Sequence, residues 1–214
     1  MKCSLYVTNT EGMRIAPLGD SRMQYINTDV IEGQDKRADV EQNLVNIHKD
    51  VEYQTFGGIG GAFSDTSATV WSAMPEDKKE EFIRAYFDKN EGIGYTVGRL
   101  SIGSCDFSTG DYTYVDEGDE TLDSFDISRE KVTVIPMVRA AKKYSELKIF
   151  ASPWSPPAYM KTSNNRIGGH LKKEYYSLWA KYFKKYIEEF KKENIAVWAV
   201  TMQNEPRHHQ VWES

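Results

Sequence analysis

With 214 residues, the chain is long enough to bury a substantial core, as one large domain or one domain plus a small piece. Lys and Arg number 27 against 32 Asp and Glu, a net charge of −5, which argues against a nucleic-acid surface built on a clustered basic face. The two cysteines, Cys3 and Cys105, cannot make a disulfide framework and lack zinc-ligand spacing; Cys105 reads as a buried, inert thiol. No apolar run approaches the length of a membrane span. Met1-Lys2 is not followed by a long apolar signal core, because Thr8-Asn9-Thr10-Glu11-Gly12 interrupts it, so the chain reads as mature or intracellular. Secreted and cytoplasmic locations both stay open.

Residues 1–55 read as a β-rich segment, with short strand candidates at Ser4-Leu5-Tyr6-Val7-Thr8 and Leu44-Val45-Asn46-Ile47-His48. From residue 56 strands alternate with helices. The first strand signal is Gly57-Gly58-Ile59-Gly60-Gly61-Ala62-Phe63. A helix follows, with Pro75 near its start and Glu76 and Asp77 in its first turn, where carboxylates suit the helix dipole; it runs to about Lys89. Tyr95 to Ile102 is a second strand, followed by a long acidic loop whose charges read as solvated. A second helix spans roughly Arg129 to Tyr144, with Pro136 starting or kinking its regular part. Leu147-Lys148-Ile149-Phe150-Ala151 is a third strand. Tyr175, Leu178/Trp179, Tyr182/Phe183, Tyr186/Ile187 and Phe190 then recur at helical spacing, and Asn194 suits a left-handed C-terminal position. A fourth strand begins at Ile195. Four β-α steps predict parallel strands with right-handed crossovers, in either a doubly wound sheet or a (β/α)₈ barrel.

The carboxyl ends of these strands carry Ser64-Asp65-Thr66, Gly103-Ser104-Cys105-Asp106-Phe107, Ser152-Pro153-Trp154 through Lys161, and Asn204-Glu205-Pro206. Carboxylates and an amide bind hydroxyls, and rings cover a sugar's apolar face. The carboxyl rim is also where α/β folds build active sites. Pro206 disfavours the helical region for Glu205 and is expected to hold it extended. Taken singly, each group has a structural explanation: Asp65 as a helix cap, Asp106 closing a turn with Ser108, Trp154 as a wedge between prolines. The glycine run fails the dinucleotide pattern because Phe63 occupies the third glycine position, and no Gly-Lys-Ser/Thr follows, so close backbone packing is the preferred reading. His208-His209 lacks an evident third metal ligand.

Several long segments resemble the family 30 glycoside hydrolases, retaining β-glycosidases of clan A, and among them the glucosylceramidase-like branch. They are Phe56 to Asp65, Gly92-Ile93-Gly94-Tyr95, Gly98-Arg99 through Ser108, Tyr112-Thr113-Tyr114, Ala151 to Pro157 with Met160-Lys161-Thr162, Trp198 to Thr201, and Gln203-Asn204-Glu205-Pro206. The likeness covers nearly everything from about Val45 onward. It implies an α/β fold, a (β/α)₈ TIM barrel of which residues 56–214 are the first half, with residues 1–55 contributing to a β-rich side domain. It implies retaining hydrolysis of a β-glucosidic bond without cofactor or metal. Glu205 matches the general acid/base and Asn204 the residue bonded to the sugar 2-hydroxyl. Asp106 and Trp154 match positions that bind glycone hydroxyls, Arg99 a buried arginine near the catalytic carboxylates, and Phe107 and Tyr159 cleft-lining rings.

A retaining glycosidase needs two carboxyls about 5–5.5 Å apart. The resemblance places the nucleophile on a strand well beyond Glu205, outside this sequence, so the implied enzyme requires a C-terminal half of the barrel. Burial beside an anionic nucleophile is expected to keep Glu205 protonated in the free enzyme. The expected partner is a β-glucoside or related glycoside. The alternative is a truncated, non-catalytic carbohydrate-binding or structural fragment. By itself, an open half-barrel should expose strand edges and an apolar face, and so should associate or be unstable.

Overall fold

The computed structural model describes residues 5–7, 10, 12, 16–18 and 50–207. The chain divides into two units, residues 1–54 and 55–214. In the first, β1 (Leu5–Val7) and β2 (Ala16–Leu18) pair antiparallel, with Tyr6 opposite Pro17. A proline is tolerated there because both strands of a two-stranded ribbon are edges. The strand expected at 44–48 lies outside the described residues.

Among the described residues the second unit holds four parallel strands, β3 (Gly60–Ala62), β4 (Val97–Ile102), β5 (Lys148–Pro153) and β6 (Val197–Val200), each beside its predecessor in the chain. The glycine run is a packing device. A Cβ on Gly60 would stand 1.6 Å from the Val97 carbonyl oxygen, so β3 can lie against β4 only if this residue is glycine. A Cβ on Gly98 would stand 2.6 Å from the Phe63 ring and 2.8 Å from Ile149 Cδ1, so that position is also crowded, by side chains.

Helices fill the connections. Ser64 caps α1 (Asp65–Ser72) by accepting from the Ser67 N–H at 3.1 Å, which places Asp65 in the first turn rather than at the cap. α2 (Glu76–Phe87) starts directly after Pro75, as its composition predicts. The single helix expected over 129–144 is two: α3 (Ser128–Val132) and α4 (Val134–Ala141), broken at Thr133. Pro136 explains the break, since its ring would abut the Val132 carbonyl in a continuous helix. α5 (Tyr176–Lys192) buries Leu178, Trp179, Tyr182, Phe183, Tyr186 and Phe190 of the stripe read from the sequence, with Ile187 half-buried and Tyr175 in the turn before it, and Asn194 ends its last turn at φ +60.

Burial along β4 alternates. Gly98, Leu100 and Ile102 face a core shared with Ile83, Phe87, Ile135, Val138, Tyr186 and Phe190, whereas Val97, Arg99 and Ser101 are half-buried. The Phe63 and Phe87 rings stack at 5.5 Å between centroids, joining the end of β3 to α2. On β6, Trp198 is 69% exposed. This sheet therefore covers one face with helices and leaves polar and aromatic groups on the other.

Candidate active site

Arg99 stands in the middle of β4, and its guanidinium reaches across two further strands. Its Nε donates to Ser152 Oγ at 3.0 Å, at the end of β5, and its NH2 donates to Asn204 Oδ1 at 2.7 Å, beyond β6. The same planar group lies 4.7 Å from the centre of the Trp154 ring. A guanidinium is suited to this because it combines a flat face with donors in a fixed fork. The turn after β6 is sewn to the end of β5 by three bonds: Thr201 N–H to Ala151 O at 2.9 Å, Asn204 N–H to Pro153 O at 2.9 Å, and the Gln203 amide to Trp154 O at 2.6 Å. Arg99, Asn204 and Trp154 are thus brought together by β-sheet register and these cross-links. Trp154 Nε1 is buried and has no acceptor among the described residues.

Glu205 follows Asn204 on the rim. It is exposed, and its φ of +46 is left-handed rather than extended. This corrects the expectation from Pro206: the proline closes off the right-handed helical region, and the chain turns through the left-handed one instead. A non-glycine residue in that region costs about 1–2 kcal/mol, which the three cross-links from the turn to β5 offset. Burial pulls the Arg99 guanidinium below the usual arginine range, while Cys105, Asp106 and Glu205 push it back up. The two rim carboxylates thus share the field of one guanidinium.

Asp106 occupies the tip of a turn that runs from Cys105 to Ser108, closed by Ser108 N–H to Cys105 O at 2.9 Å and by Cys105 N–H to Ser108 Oγ at 3.0 Å. The turn expected at this position exists, and Cys105 and Ser108 close it. Burial pushes the Cys105 thiol above its usual value, in keeping with an inert thiol. Phe107 is exposed at 62%, its carbonyl held by Thr66 N–H at 3.1 Å and Thr66 Oγ1 at 2.9 Å. Tyr159 lies in a 3₁₀ turn (Ala158–Met160). Its hydroxyl donates to Asp119 O at 2.6 Å and its ring meets Tyr175 edge-on at 5.6 Å. A groove of about 890 Å³ lies beside Glu205 and Gln203, against Trp179 and Phe183 of α5. It does not touch Arg99, Asn204 or Trp154, and so is not the centre of the site.

Sequence reasoning missed the support beneath this rim. Asp65, 1% exposed, accepts from Thr109 N–H at 2.8 Å, Thr109 Oγ1 at 2.7 Å and Arg129 NH2 at 2.8 Å, fixing the loop after Asp106 to α1. Burial opposes its charge, but these donors prevail and hold its carboxyl below the usual range. Glu130, next to Arg129, accepts from the Tyr112 and Tyr114 hydroxyls at 2.7 and 2.8 Å, and burial pushes its carboxyl up. In the sequence Asp65 stood out only as a strand-end carboxylate with a capping explanation, and nothing there joins it to Thr109, 44 residues on, or Glu130 to Tyr114, 16 residues before it.

Residues 56–211 match the glycosyl hydrolase family 30 TIM-barrel domain. Over 171 residues the chain is 36% identical to putative glucosylceramidase 4 of Caenorhabditis elegans, covering 76% of this chain and 33% of that protein. Over 173 residues it is 35% identical to the lysosomal acid glucosylceramidase of Mus musculus, with the same 76% and 33% coverage. The crystal structure of SrfJ from Salmonella typhimurium superposes with a TM-score of 0.73 at 38% identity, covering 75% of this chain and 37% of that one. The chain therefore spans 33% of the length of these two curated relatives. Four parallel strands in chain order, an arginine-centred rim at their carboxyl ends and a family match across most of the sequence lead to one assignment: the chain belongs to glycosyl hydrolase family 30.

Proposed function

We propose that the whole protein is a retaining β-glycosidase acting on a β-glucoside, with this chain supplying the first four βα units of its barrel and the acid/base side of its site. The observation that carries the reading is the Arg99 node, which holds Asn204 at 2.7 Å next to Glu205. Glu205 protonates the glycosidic oxygen as the aglycone leaves. It then takes a proton from the water that attacks the glycosyl-enzyme. The second carboxylate, the nucleophile, comes from a later strand of the whole enzyme, in keeping with the share of its relatives that this chain spans. Asn204, oriented by Arg99, donates its amide N–H to the sugar 2-hydroxyl. The buried indole N–H of Trp154, which has no acceptor among the described residues, and the exposed Asp106 carboxylate supply a donor and an acceptor for further glycone hydroxyls. Phe107 and Tyr159 line the approach to the glycone. The N-terminal strands belong to a β-rich side domain.

Glu205→Gln tests the assignment in the complete enzyme. An unactivated β-glucoside should lose activity by about 10²–10⁴-fold, the usual worth of a general acid. An activated aryl glucoside, whose leaving group needs no proton, should still glycosylate the enzyme, and deglycosylation should then limit its turnover. Undiminished turnover of the unactivated substrate would remove Glu205 from the mechanism.

A further inference from the structure

Two loops carry the groups proposed to bind the glycone: the turn after β4, with Asp106, and the segment after β5, with Trp154. A buried node joins them. Arg166 NH1 donates to Ser104 Oγ at 2.6 Å and to Tyr112 O at 2.7 Å, and it also pairs with Asp111; all three acceptors belong to the loop after β4. The main-chain carbonyl of the same Arg166 accepts from Ser155 Oγ and from Lys161 Nζ, both at 2.8 Å. Lys161 Nζ also donates to Ser155 Oγ at 3.1 Å. Ser104 stands two residues before Asp106, and Ser155 directly follows Trp154.

Stability alone does not account for this arrangement. Arg166 is 7% exposed and Lys161 1%, two cations in one buried node, and the ion-pair partner of Arg166, the Asp111 side chain, is 65% exposed. Arg166 Nε and NH2 are buried without an acceptor among the described residues. Burial, and then the neighbouring guanidinium, bring Lys161 down to about 8. Desolvating two like charges in this way costs stability, and apolar residues of similar volume are commonly neutral or better at such positions. What the node supplies is geometry, because it ties the two loops to each other at the level of Ser104 and Ser155.

We infer that Arg166, with Lys161, is a positioning residue that fixes the Asp106 turn relative to the Trp154 indole and so sets how tightly the glycone is held. The inference rests on the glycosidase reading for its consequence, though not for its geometry. Arg166→Met is the informative variant. It leaves Asp111 solvated and Ser155 still bonded to the 166 carbonyl, so no charge is stranded. In the complete enzyme, with p-nitrophenyl β-glucoside, KM should rise about tenfold, while kcat falls less than about threefold and Tm stays within about 2 °C. In the same complete enzyme, amide hydrogen exchange should accelerate in both 104–112 and 154–161. Ser104→Ala, a smaller change, should move both readouts in the same direction, and it serves if the first variant fails to fold. Unchanged exchange in 154–161 in the variant that folds overturns the inference. So does a fall in Tm with KM unchanged. A wild-type enzyme that leaves the glucoside untouched counts against the glycosidase reading instead, and the exchange result then decides the coupling by itself.

Discussion

Arg99 has to satisfy Ser152 and Asn204 with different nitrogens while its flat face covers Trp154. An ammonium has neither the fork nor the face. Arg99→Lys should therefore keep the charge and lose the geometry, leaving the fully buried Ser152 hydroxyl or the Asn204 amide unmatched. The expected cost is about 1–3 kcal/mol in urea unfolding, with a larger loss in glycone affinity than in stability. A variant as stable as the parent would show that Arg99 spans the strands without holding them. Glu205 adds a second residue-scale point. A left-handed φ at a non-glycine is kept only where its surroundings over-determine it, and here Asn204 is fixed on one side by Arg99 and Pro153 O while Pro206 restricts the other.

At the scale of elements, two buried carboxylates on neighbouring supports respond to pH with opposite signs. Glu130 faces Tyr112 and Tyr114 through hydrogen bonds and Arg129 and Asp65 through space; its carboxyl is raised, with burial the largest cause. The folded state thus takes up this proton more readily than the unfolded chain. The resulting stability is fully present below the unfolded value and is lost as pH rises through the folded one. Asp65 is lowered, so its contribution is present above its unfolded value and is lost as pH falls through the folded one. Glu130→Gln keeps an acceptor for both phenols and removes the buried charge. It should stabilise the chain at pH 7 and do so less at pH 5, as urea melts at the two pH values will show; an equal effect at both would refute the sign argued here.

Legibility at this scale followed periodicity. The α5 stripe and the β4 alternation repeat often enough to be read directly, and Asn194 and Pro75 announce their helix ends. α1 was missed because eight residues of mixed Thr, Ser and Ala carry little pattern. The α3–α4 break was half visible, since Pro136 marks it, but the residue that yields is Thr133, three positions earlier. The rim motif, Asn204-Glu205-Pro206, was legible as chemistry, whereas the conformation of Glu205 was not. The bonds from Gln203 and Asn204 to β5 that shape the turn join segments about fifty residues apart. Arg166 was unreadable for the same reason: its acceptors on the β4 loop lie up to 62 residues away.

Taken as a whole molecule, the four-stranded sheet ends at β3 on one side and β6 on the other, with no further strand paired to either among the described residues. β3 is exposed throughout, and Trp198, Val200 and Met202 present apolar surface along and beyond β6. Unpaired edges beside apolar surface favour association. The present chain alone should therefore show concentration-dependent sedimentation, suppressed when the proposed remaining half of the barrel is supplied as a separate polypeptide. A single monomeric species across a hundredfold range of concentration would count against the open-sheet reading.

The strand order has a further consequence, in time. Each strand of this sheet pairs with the one made just before it, so during synthesis the sheet can grow strand by strand as the chain leaves the ribosome. The Arg99–Asn204 bond is the exception, since it joins residues 105 positions apart. At about 5–20 residues per second, the guanidinium waits roughly 5–20 seconds for its last partner. Formation of that bond marks the moment at which the nascent strands β4 to β6 are tied together along their rim.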